Sequence, residues 1–64
     1  MREKELKKTL ERDLKDLQKM EISLKNKVEE EENDLIKRLY RVELTTTQID
    51  IMKTQYYLTF WKIF

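Results

Sequence analysis

The sequence predicts an all-α chain: a single long helix that gains a core only by lying against other helices in a coiled coil or helical bundle. Three observations carry that expectation. Glycine and proline are both absent, although nearly every tight turn uses one or the other. Charged residues make up 42% of the chain at a net charge of only +1, against a usual charged share of about a quarter. Apolar residues nonetheless recur at intervals of three, four and seven, the signature of a helix with one stripe to bury.

That stripe is Leu10, Leu14, Leu17, Leu24, Val28, Leu35, Val42, Ile49, Met52 and Tyr56. All ten fit one heptad frame, so on a straight helix they form a narrow helix–helix interface. Glu21, Glu31 and Arg38 fall in the same frame. Polar residues at such positions set register and orientation at some cost in stability.

The chain reads as one segment, residues 1–64, with three textures. A charged heptad region covers residues 2–43 and opens on lysine, glutamate and arginine, all good helix formers. Glu3 with Lys7 and Glu11 with Lys15 add i,i+4 support of a few tenths of a kcal/mol each. Residues 29–34, Glu-Glu-Glu-Glu-Asn-Asp, then concentrate negative charge. Asn33 and Asp34 are capable N-caps and offer one place for a break. Beyond them Ile36 and Leu39 widen the apolar face, which suits packing in a bundle.

Residues 45–47 are three threonines, poor in a helix interior because their χ1 freedom is lost and their hydroxyls compete for backbone partners. Thr45 with Gln48, or Thr47 with Asp50, has capping-box spacing, so this stretch, in preference to Asn33–Asp34, is the place to expect a second helix start. Because Ile49, Met52 and Tyr56 resume the Leu14 frame without a slip, the expectation is an unbroken helix. Residues 48–64 are apolar and aromatic, and Tyr57, Phe60, Trp61, Ile63 and Phe64 spread around the helix beyond the stripe. So apolar a surface calls for a cover.

Composition excludes several functions. Cysteine and histidine are absent, which removes the usual thiol nucleophile, the commonest general base and the commonest metal ligand. Ser23, the single serine, has no base to activate it, and there is no glycine-rich phosphate loop. Neither an enzyme, nor a metal site, nor a cofactor is expected. The N-terminal bases are interleaved with acids, unlike a basic region that grips phosphate, so no nucleic-acid partner is expected either.

The expected partner is protein, either a second copy or another coiled-coil chain, and the chain is not expected to be a monomer. In a parallel homodimer Glu21, Glu31 and Arg38 would each face their own copy, a costly arrangement. Antiparallel pairing instead sets Leu10 against Tyr56, Leu14 against Met52, Leu17 against Ile49 and Leu24 against Val42. It also brings Glu31 of one helix about one layer from Arg38 of the other.

The texture is similar to coiled-coil scaffold segments of the cytoskeleton and trafficking machinery. That resemblance implies a structural, oligomerising role in the cytoplasm or on the cytoskeleton. The start of the chain is charged where a signal peptide needs an apolar core, and no apolar run is long enough to span a bilayer. Two alternatives stand beside the scaffold: a peripheral membrane helix using residues 56–64, and a helical hairpin folded back at Thr45–Thr47 and docking its aromatic end on a protein target.

Overall fold

A computed structural model describes the backbone of residues 2–60 and the side chains of residues 4–60. Two helices account for nearly all of it: α1, Arg2–Glu30, and α2, Asp34–Phe60. Residues 31–33 join them, and α2 returns along α1 as an antiparallel hairpin 48 Å long and 15 × 13 Å in section. A continuous helix of the whole chain would run to about 96 Å. The single long helix is therefore corrected to an all-α hairpin.

The break falls at the acidic run. Glu30 and Asp34 would repel at i,i+4 in a continuous helix, and carboxylates crowd the negative end of the α1 dipole while suiting the positive end of α2. Asn33 completes the switch as the N-cap of α2. The Leu35 and Ile36 N–H groups donate to its Oδ1 at 3.0 and 3.3 Å, and its carbonyl accepts from the Lys37 N–H at 2.9 Å. Glu31 is drawn into the same turn, its Oε1 accepting from the Asn33 N–H at 3.1 Å. Among the described residues none has a positive φ, so this link needs no glycine. That is why a chain without glycine or proline still turns.

The threonines do not break α2. Thr45, Thr46 and Thr47 donate their hydroxyls to the carbonyls of Arg41, Val42 and Glu43, four residues back, at 2.9–3.0 Å. Thr9, Thr54 and Thr59 do the same. Each hydroxyl is satisfied inside the helix, so it no longer competes with the helical ladder.

Inside the hairpin, α1 presents the seam that its spacing demands. Leu24 is buried, with Leu10, Leu14, Leu17 and Val28 half-buried around it and Glu21 half-buried in line with them. From α2 the facing residues are Tyr40, Leu44, Thr47, Ile51, Thr54 and Leu58, again at alternating intervals of three and four. Lys37 continues this row toward the turn, and the Lys27 Nζ sits 5.6 Å above the Tyr40 ring, within cation–π range. The core is thin. Among the described residues only Leu24, Thr47 and Ile51 fall below a tenth exposed.

Candidate functional site

The turn decides which face of α2 is left outside. On a straight helix Leu35, Val42, Ile49, Met52 and Tyr56 would continue the Leu10-to-Val28 stripe. The non-helical residues 31–33 reset the rotational phase, and α2 turns a different row toward α1. All five residues are exposed, from 47% at Ile49 to 69% at Met52. Arg38 is exposed beside them, while Glu31 lies in the turn. The ten seam residues thus divide: five face the hairpin interior and five face outward.

The outward residues are not scattered. Residues 35, 39, 42, 46, 49, 53, 56 and 60 alternate steps of four and three, which makes a second heptad row on α2. Its members are Leu35, Leu39, Val42, Thr46, Ile49, Lys53, Tyr56 and Phe60, and exposed Met52 flanks it, three residues from Ile49 and four from Tyr56. The row facing α1 contains Lys37, Thr47 and Thr54, so α2 turns its more apolar row away from its own partner helix. Opposite its seam α1 carries Arg12, Lys19 and Asn26. One helix has a single sticky side; the other has two.

At its far end the row gathers aromatics. Tyr56 and Phe60 have ring centroids 4.4 Å apart, and Tyr57 meets Tyr56 edge-on at 6.1 Å. Tyr57 is largely exposed and Phe60 about a third exposed. Trp61, Ile63 and Phe64 lie outside the described residues. Beside the row, an open groove of about 490 Å³ runs between the helices, lined by Leu17, Met20, Leu24, Val42, Thr46 and Thr47 among others. Val42 belongs to both, so the apolar surface continues over the rim of α2 toward Met20 on α1.

The sequence pattern missed the inner row of α2. Leu44, Ile51 and Leu58 stand seven residues apart and carried the signal, but Thr47 and Thr54 between them read as polar surface. Covering Thr47 and Thr54 is cheap here because each hydroxyl is bonded to its own helix. Among the described residues no three histidine, cysteine or acidic side chains are grouped to hold a metal ion. No described helix is long and apolar enough to cross a membrane.

Comparison of the chain with protein-family models, curated proteins and solved structures gives no match.

Proposed function

We propose that the chain is a non-enzymatic assembly module, a helical hairpin that joins protein helices through the outer row of α2. Its role is that of an oligomerisation or scaffold segment within a larger structural complex. One observation carries this reading: Leu35, Leu39, Val42, Ile49 and Tyr56 lie exposed in a single heptad row on a helix whose other side is already packed. Scattered surface leucines are ordinary, whereas a contiguous apolar stripe marks an interaction surface. Knobs from a neighbouring helix fit such a row, and burying it supplies the binding free energy.

The test is capture by proximity. The tagged chain is cross-linked in cells and compared with a Val42→Glu, Met52→Glu double variant, both positions being exposed in the hairpin. Proteins recovered with the native chain, differently tagged copies included, are expected to be lost with the variant. Equal recoveries from the two chains, or none from either, overturn the proposal.

A second reading is favoured by the exposed aromatic group of Tyr56, Tyr57 and Phe60: the hairpin presents its open end to a single target protein. In that case Tyr56→Ala with Tyr57→Ala abolishes capture while Val42→Glu leaves it intact.

A further inference from the structure

We propose that the partner of this face is a second copy of the chain, its α2 packed antiparallel on the first along the outer row. The inference rests on the assembly reading and names the occupant of that surface. It starts from the symmetry of the row. Its steps, four-three-four-three-four-three-four, read the same from either end, and their centre falls between Thr47 and Gln48. That point is also the middle of α2. A twofold axis there overlaps the two helices over their whole length, as an isologous interface requires.

The pairs that result are Leu35 with Phe60, Leu39 with Tyr56, Val42 with Lys53 and Thr46 with Ile49, each made twice. Small therefore meets branched at the axis, and leucine meets aromatic toward both ends.

Charge selects the direction. Lys53 is the one charged member of the row. Parallel pairing would stack it against its own copy. Antiparallel pairing sets its stem against Val42 of the second copy, one residue from that copy's Glu43, where the ammonium finds a carboxylate.

Surface area supplies the third argument. The chain exposes 5771 Å², whereas a compact monomer of 8.0 kDa exposes about 4450 Å². The excess, about 1300 Å², is larger than the roughly 800 Å² each partner gives to a stable interface.

Sedimentation equilibrium on the full chain, from low to high micromolar, tests the proposal. The expected particle has twice the 8.0 kDa chain mass. Ile49→Glu should weaken the dimer at least about a hundredfold by placing an unpaired charge beside the axis. Ile49 is 47% exposed in the hairpin, so helix content should be unchanged; Met52→Glu serves as the second variant. Orientation is read by oxidising single-cysteine chains. A mixture of Leu39→Cys and Tyr56→Cys should form the 39–56 disulfide, and Leu39→Cys alone should form little 39–39.

A monomer at every concentration, a dimer indifferent to both glutamates, or efficient 39–39 linkage overturns the pairing. A monomer that still captures other proteins through Val42 and Met52 overturns self-pairing and leaves the assembly reading standing. A dimer formed by another face does the same.

Discussion

Asn33→Ala is the perturbation that most directly tests why this chain folds back. The side chain holds two amide protons of the first turn of α2. Its loss costs about 1 kcal/mol of cap. Alanine is also a better residue than asparagine inside a helix by about 0.5 kcal/mol, which favours the competing straight rod. Together the two effects move the hairpin-to-rod balance by about 1.5 kcal/mol, roughly tenfold.

Spin labels at Arg12 and Gln55, both exposed, report the outcome by pulsed dipolar spectroscopy. They continue the Lys27–Tyr40 register toward the open end. In the hairpin the helix axes beneath them lie about 10 Å apart, the spacing of packed helices; in a rod, 43 residues apart in sequence, the two sites lie about 65 Å apart. Asn33→Ala should transfer population from the short distance to the long one, and Asn33→Asp, an equal cap, should not. An unchanged distance distribution and melting midpoint in Asn33→Ala would refute the cap as the determinant of the turn.

Two further changes test the interior. Leu24→Ala removes the most buried leucine of α1, 6% exposed, and should cost about 2–5 kcal/mol. Total stability for a domain this size is only about 3–10 kcal/mol, so circular dichroism should show a large fall in the melting midpoint or no cooperative melt. Thr9→Ala with Thr45→Ala, both exposed and bonded only within their own helices, should raise the melting midpoint by relieving poor helix propensity. A lower midpoint would mean that these hydroxyls contribute more than their helix costs.

The sequence by itself determined that the chain is helical and that Leu10, Leu14, Leu17, Leu24 and Val28 form one seam. Those are local matters. Residues three and four apart share a helix face whatever lies beyond it. It also contained the turn, in Asn33 after four glutamates. The pattern could not weigh that cap against the unbroken phase of the apolar frame.

Only the tertiary structure decided that the neighbour of α1 is the other half of the same chain, and so which row of α2 is inside. Three non-helical residues rotate everything that follows them. A rotation is invisible to a periodicity that fits both rows equally well, one through Leu44, Ile51 and Leu58 and one through Leu35, Val42, Ile49 and Tyr56. Packing on α1 selected the row through Leu44, Ile51 and Leu58, and left the greasier row facing water.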